Sequence, residues 1–386
     1  MPFLLIVRFL FMLLSLCVLA GAAYLLWNWY DGDLILQADG DFVRVRTDWY
    51  LWAGAALLGI SFLGRPLLAP LLARADTDPS SAARGNGTML PGASGSSLYV
   101  EQLGSPTAPP IVLVHGWAMD STIWFYAKRD LARTFRVFCW DLPGMGKSTA
   151  ASPSAIGLTE FSRDLRAVIA LAGPRKVVLV GHSIGGMTIQ TLARDDPAFF
   201  NAHVAGTVLV NTTYTNPLKT MILSNLAQAI RWPLLEPLMR LGILLQPLVW
   251  LSAWQSYLSG SAHLANRLGF GKYVTRSQLE HTTLLSTRNS PGNIHRGNLA
   301  MFRWDATHAM ASVTSPLLVL AGDMDIVTKP DAGRVIADDN LRGKFTGFEG
   351  ANHMGFLERS DAYNAAIAAF ATSAHAEGAA VTAAPP

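Results

Sequence analysis

Lys176-Val177-Val178-Leu179-Val180-Gly181-His182-Ser183-Ile184-Gly185-Gly186 is the stretch that decides the fold. Its first half is short, apolar and rich in β-branched residues, the pattern of a buried strand. Its second half is a Gly-x-Ser-x-Gly pentapeptide that opens a helical stretch, residues 184–195. A chain that reverses so quickly from strand to helix must hold Ser183 in a strained conformation at the tip. Gly181 and Gly185 have no side chains, so neighbouring backbones can approach the turn closely, and Gly186 extends that clearance. The Ser183 hydroxyl then points outward, with the free N–H groups of a helix start beneath it. Pentapeptides of this form also occur in turns without chemistry. The strand–turn–helix setting is what makes Ser183 a candidate nucleophile.

Working outward, the same alternation continues on both sides. Short apolar runs at residues 111–114, 136–140, 207–210, 317–320 and 344–348 each lead into a loop, and helical stretches such as 158–171 and 363–372 lie between them. Runs this short and apolar on both faces predict parallel strands covered by helices on each side, hence an α/β fold with a doubly wound parallel sheet. In such sheets, ligands bind beyond the carboxyl ends of the strands.

The segment from about Leu98 to Thr372 resembles the α/β-hydrolase superfamily. Beside the serine elbow, His115-Gly116-Trp117 resembles its oxyanion loop, and Asp141-Leu142-Pro143-Gly144-Met145-Gly146-Lys147-Ser148 resembles its Asp-x-x-Gly-x-Gly-x-Ser turn. Gly350-Ala351-Asn352-His353 resembles its histidine loop. Gly146-Lys147-Ser148 also looks like the end of a phosphate loop, but that loop needs Gly where Asp141 stands.

A serine hydroxyl needs a base, and the base needs an orienting acid. Of nine histidines, His353 has the right setting: after the last predicted strand, in a loop before a helix. The order Ser, acid, His is the one the superfamily uses. His182 adjoins the nucleophile but should point elsewhere, and the resemblance implies a structural role for His115. Gly322-Asp323-Met324-Asp325 offers two carboxylates after a strand. The family pattern places the acid three residues after the Gly, which favours Asp325 and leaves Asp323 as a solvated turn residue. The other place the family uses, after the sixth strand, reads Asn211-Thr212-Thr213 and has no carboxylate. The oxyanion donors, by position, are the backbone N–H groups of Trp117 and Ile184. The Trp117 ring either lines the acyl pocket or packs in the core.

Composition separates a second part of the chain. The 386 residues are 51% hydrophobic and 15% charged, where about 25% charged is usual. Mean hydropathy is +0.28. From Phe9 to Trp27 there are 19 residues without a charge, enough at about 1.5 Å each to cross a hydrocarbon core of about 30 Å. Trp27, Trp29 and Tyr30 follow as an aromatic belt. A polar loop, 31–48, leads to a second apolar segment, 49–72, and together they predict a transmembrane helical hairpin with two spans. Two other readings stand beside it: a cleaved signal peptide over residues 1–23, and an interfacial second segment interrupted by Pro66 and Pro70. Arg8 on one flank and Arg65, Arg74 and Arg84 on the other favour both ends in the cytoplasm.

The expected organisation is therefore a membrane hairpin at 1–73 and a flexible linker at 74–97, rich in Ser, Gly, Ala, Asp and Pro. The hydrolase core follows at 98–215 and 305–373, with a helical cap at 216–304 and a disordered Ala-rich tail at 374–386. A flexible linker implies a hydrolase domain separable from the hairpin. The cap has 14 residues without charge, Leu241 to Trp254, too short to span and suited to packing on the body or to touching the bilayer.

Two cysteines, Cys17 and Cys139, exclude a disulfide scaffold and a thiolate zinc site. A net charge of +3 argues against nucleic-acid binding. No metal or organic cofactor is implied. The expected activity is that of a membrane-anchored serine hydrolase cleaving a lipophilic carboxylic ester, at the inner or plasma membrane. Acyl transfer, carbon–carbon bond hydrolysis and a non-catalytic binding module are the alternatives.

Overall fold

The structure, a computed structural model, describes residues 2–383 and the side chains of residues 6–378. Eight strands form one sheet. In chain order they are β3 (Gly87–Pro91), β4 (Ser97–Leu103), β5 (Pro110–Val114), β6 (Arg136–Trp140), β7 (Val177–His182), β8 (Val204–Val210), β9 (Leu317–Gly322) and β10 (Gly343–Phe348). The spatial order is β10-β9-β8-β7-β5-β6-β4-β3. From β10 to β6 neighbours are parallel; β4 and β3 join antiparallel at one edge. Strands β5 to β9 bury both faces because alternate residues enter two cores, whereas the edge strand β10 is partly exposed. Val112, Val114, Phe138, Leu179, Leu209 and Val319 face one. Ile111, Leu113, Cys139, Val178, Val208 and Leu320 face the other. Burial pushes the Cys139 thiol pKa well up, as suits an inert core residue.

Ahead of the sheet, helix α1 (Pro2–Asp31) is joined to α2 (Asp48–Leu63) through an exposed two-stranded ribbon, β1 (Asp33–Leu36) and β2 (Phe42–Val45). The stretch expected as a polar loop is thus a β-hairpin, because Leu34-Ile35-Leu36 and Phe42-Val43 supply β-formers around an Asp39-Gly40 turn. Helix α1 contains 26 residues, Ile6–Asp31, long and apolar enough to cross a membrane.

The second apolar segment is not one straight helix. Helix α2 ends at Leu63, and α3 (Arg65–Leu72) leaves at 60°. Pro66 cannot donate back into α2. Gly64 sits where a Cβ would come 2.5 Å from the carbonyl oxygen of Ser259, so only glycine lets the bend press against the following helical region.

Two expectations about mobile segments need correction. Residues 74–97 are pinned, not free. Arg74 bridges Thr275, Asp76 accepts from Ser277 N at 2.9 Å, and Ser80 N donates to Ser277 Oγ at 2.9 Å. Arg84 forms ion pairs with Asp120 at 2.6 Å and Asp141 at 2.8 Å, and β3 completes the sheet edge. The polar residues that look like linker composition each have a distant partner. Likewise, the expected tail from 374 continues the helix Ser360–Ala383, with Ala374 buried in the second core. Alanine is the strongest helix former. Residues 384–386 of that tail lie outside the described residues.

The expected separability of the hairpin fails with the linker. Helix α1 packs on Gln246–Ser259 and Ser261–Arg267, and α2 and α3 pack there as well. Ser15 Oγ and Ser259 Oγ are 2.9 Å apart, and Arg65 pairs with Glu280 at 2.7 Å.

Candidate active site

Strand β7 ends on His182 and the next helix begins at Ile184, so Ser183 alone makes the turn, with φ 53° and ψ −117°. A non-glycine at positive φ is held there only by its surroundings. Ser183 N donates to Val210 O at 3.0 Å, and Thr212 Oγ1 donates to Ser183 O at 2.6 Å, so the end of β8 clamps the elbow. A Cβ on Gly181 would lie 2.6 Å from the Gly185 carbonyl carbon, and one on Gly185 would lie 2.2 Å from Val114 O. The glycine spacing is therefore a packing requirement of the elbow.

Asp325 and His353 come together in full burial, with His353 Nδ1 3.0 Å from Asp325 Oδ2. The carboxylate is held by every side it offers. Oδ1 accepts from Val327 N at 2.8 Å and Thr328 N at 2.9 Å; Oδ2 accepts from Thr328 Oγ1 and Asn211 Nδ2, both at 2.8 Å. Burial alone would raise its pKa, but the neighbouring His353 and these hydrogen bonds bring it below the ordinary carboxylate value. The carboxylate thus stays ionised and fixes the imidazole. His353 Nε2 is buried without a hydrogen-bond partner, and His353 borders an apolar cavity. No hydrogen bond joins Nε2 to Ser183 in this structure; such contacts often close only around substrate.

Asp323 is exposed and accepts from Gly350 N at 2.8 Å. Asp325→Asn is expected to lower kcat on p-nitrophenyl butyrate by about 10³–10⁴-fold, because an amide cannot accept from all five donors. Asp323→Asn should stay within about threefold. A larger loss at Asp323 would assign the acid there.

The neighbouring histidines are accounted for. His115 Nδ1 donates to Gly116 O at 2.8 Å, and Nε2 accepts from Leu142 N at 2.9 Å; burial pushes its pKa down. His182, neutral because burial drives its pKa well down, donates from Nε2 to His353 O at 3.0 Å. That bond ties the residue before Ser183 to the histidine loop. Ile184 begins a helix, so its N–H is among those without an intrahelical partner. Trp117 follows β5 by three residues, and the next residue, Ala118, has φ 58°. The Trp117 ring both packs against Phe161 and lines the cavity, with Nε1 donating to Ile294 O at 3.1 Å.

Several supports were not foreseen. Asn211, noted in the sequence only for not being a carboxylate, donates to Asp325 and accepts from Tyr363 OH at 3.2 Å. Asn352 Oδ1 accepts from His353 N at 2.8 Å. Glu358, buried, accepts from Asn352 N at 3.0 Å and Gly271 N at 2.8 Å, tying the histidine loop to residues of the helical insert.

Beside His353 lies a cavity of about 420 Å³. One wall is Trp117, Ala118 and Met119; a second is Leu235, Met239, Leu245 and Val249; a third is Ile6, Phe9, Leu10 and Met12 of α1. The helix expected to serve as an anchor is a wall of the pocket. A serine at an elbow, a carboxylate-oriented imidazole and an apolar cavity have the parts needed for acyl transfer through a covalent intermediate.

The family model described as alpha/beta hydrolase fold matches residues 109–360, and the chain belongs to that family. Among relatives, a pimeloyl-[acyl-carrier protein] methyl ester esterase of Nitrosospira multiformis is 27% identical over 286 residues, covering 71% of this chain and 98% of the relative. An enzyme of the same name from Aeromonas salmonicida is 34% identical over 101 residues, 26% of this chain and 37% of its own. A thermophilic esterase from Thermogutta terrifontis superposes with a TM-score of 0.60 at 23% identity, covering 75% of this chain and all of its own. That last likeness is one of fold.

Proposed function

We propose that this α/β hydrolase is a carboxylic ester hydrolase working through an acyl-enzyme on Ser183. The observation that carries the reading is the buried Asp325–His353 pair, 3.0 Å apart, in which Nε2 has no hydrogen-bond partner and the histidine lines an apolar cavity. Ser183 Oγ attacks the acyl carbonyl while His353 Nε2 takes its proton. Asp325 holds Nδ1–H and stabilises the imidazolium. The oxyanion is met by the N–H groups of Trp117 and Ile184, each donor worth about 3 kcal/mol in the transition state. Collapse expels the alcohol, which takes the proton from His353. Water then attacks the acyl-enzyme with His353 again as base, releasing the acid. Relatives named as methyl ester esterases support ester hydrolysis as the reaction. The apolar lining supports a lipophilic acyl group.

The enzyme works at a membrane, with α1 in the bilayer. Its most apolar 18-residue window has a mean hydropathy of 2.4, and Trp27, Tyr30, Trp49 and Trp52 are exposed near the β1–β2 ribbon. Leu244, Leu248 and Leu251 of the insert are also exposed and extend the apolar surface. Both ends of the α1–α2 pair meet the hydrolase body, which supports one side for both, the cytoplasmic one by the positive-inside rule.

Fluorophosphonate probes of increasing chain length test the chemistry. The expected result is a single labelled peptide containing Ser183, formed faster with decyl than with ethyl probe. Labelling elsewhere, or none, would refute the mechanism. The full-length chain should resist carbonate extraction, and protease outside the membrane should reach only the β1–β2 ribbon. Release by carbonate would overturn the anchor, and cleavage of the hydrolase body would overturn the orientation.

A further inference from the structure

The apolar cavity carries one formal charge. Among its described lining residues, Arg8 of α1 is the single Lys, Arg, Asp or Glu. Burial pushes His295, also in the lining, down to about 4, so it is neutral near pH 7. Arg8 Nη2 donates to Asn266 Oδ1, while Nε is buried without a partner. None of the ion pairs among the described residues involves Arg8. A guanidinium keeps its charge, and a cation drawn from water without a counter-charge is costly. Fastening α1 to the helical insert does not require that cost: Ser15 and Ser259, at the end of the preceding helix Gln246–Ser259, make a contact between uncharged groups. Among the described residues no carboxylate pairs with Arg8, and Arg8 lines the cavity.

We propose that Arg8 receives an anionic group, a carboxylate or a phosphate, borne on the apolar acyl arm of the ester. The substrates would then be amphiphilic anionic esters. This rests on Ser183 being the nucleophile of an ester hydrolase. The guanidinium of Arg8 can give such an oxyanion charge-assisted hydrogen bonds. Because Arg8 belongs to α1, the helix that anchors the protein would also select what it cleaves.

Full-length enzyme in detergent micelles would be given three p-nitrophenyl esters of equal chain length: octanoate, the monoester of octanedioic acid, and the ester of 8-phosphonooctanoic acid. In the wild type, the KM of at least one anionic ester should be no higher than that of octanoate. Without a paired cation, burying the terminal anion should raise KM about 100-fold. In Arg8→Gln, the ratio of kcat/KM for the anionic ester to that for octanoate should fall about tenfold or more, and Arg8→Lys should restore part of it. A carboxylate preference would indicate a dicarboxylic monoester, and a phosphonate preference a phosphate-bearing lipid. A wild-type KM more than tenfold higher for both anionic esters overturns the proposal even if the variants do not fold. So does a ratio in Arg8→Gln within twofold of wild type. Ser183→Ala separates this outcome from failure of the parent reading: it should abolish turnover of all three esters, whereas persistence of turnover would sink the nucleophile assignment itself.

Discussion

Replacing Ser183 with Ala is expected to lower kcat on p-nitrophenyl esters by about 10⁵-fold or more, leaving the residual rate that binding and oxyanion donors alone can support. The fold should survive. The strain at φ 53° belongs to the backbone and is common to Ser and Ala, and the clamps from Val210 O and Thr212 Oγ1 reach backbone atoms of residue 183. The melting temperature should therefore move by no more than about 2 °C. His353→Ala should cost a comparable factor, and the double variant little more, because nucleophile and base act as one unit. Retention of a tenth of the wild-type kcat in purified Ser183→Ala would exclude the acyl-enzyme route.

The candidate site was legible in the sequence where packing imposes spacing. The glycines around Ser183 are fixed by approaches of 2.2–2.6 Å, so the elbow shows as a motif. Asp325 could be chosen over Asp323 by its place after the strand, and the structure buries the one and exposes the other. What supports the pair was less visible. Asn211 serves Asp325 by donating through its amide, a role that a search for carboxylates at that position passes over. The antiparallel edge was also missed: β4 carries Glu101 and Gln102, and Glu101 is buried because Lys128 lies 2.7 Å away and Tyr99 OH and Gly85 N donate to it. Residues 74–97 have the composition of a linker, and composition does not record that Asp76, Ser80 and Arg84 have partners far along the chain. An apolar helix reads the same whether lipid or protein covers it. Helix α1 is long and apolar enough to cross a membrane and also packs on the insert, and only the fold shows that Ile6, Phe9 and Met12 border the cavity.

Deleting residues 1–75 is therefore expected to damage the enzyme and not merely release it. The deletion removes one wall of the cavity, the Ser15–Ser259 and Arg65–Glu280 contacts, and the apolar cover of Gln246–Ser259. An octanoyl chain that loses contact for even two methylenes forfeits about 1.6 kcal/mol. The kcat/KM ratio of p-nitrophenyl octanoate to acetate should accordingly fall about tenfold or more. The melting temperature should fall too, since the helices of the insert would be left with exposed apolar faces. A chain cut only in the β1–β2 turn, within residues 37–41, provides the contrast. That turn is exposed and distant in sequence from every pocket residue. The cut leaves α1, α2 and α3 packed on the hydrolase body, so the octanoate-to-acetate ratio should stay within about twofold of the intact chain. If the deleted chain keeps that ratio as well, α1 is an anchor alone and the substrate is held entirely by the hydrolase body.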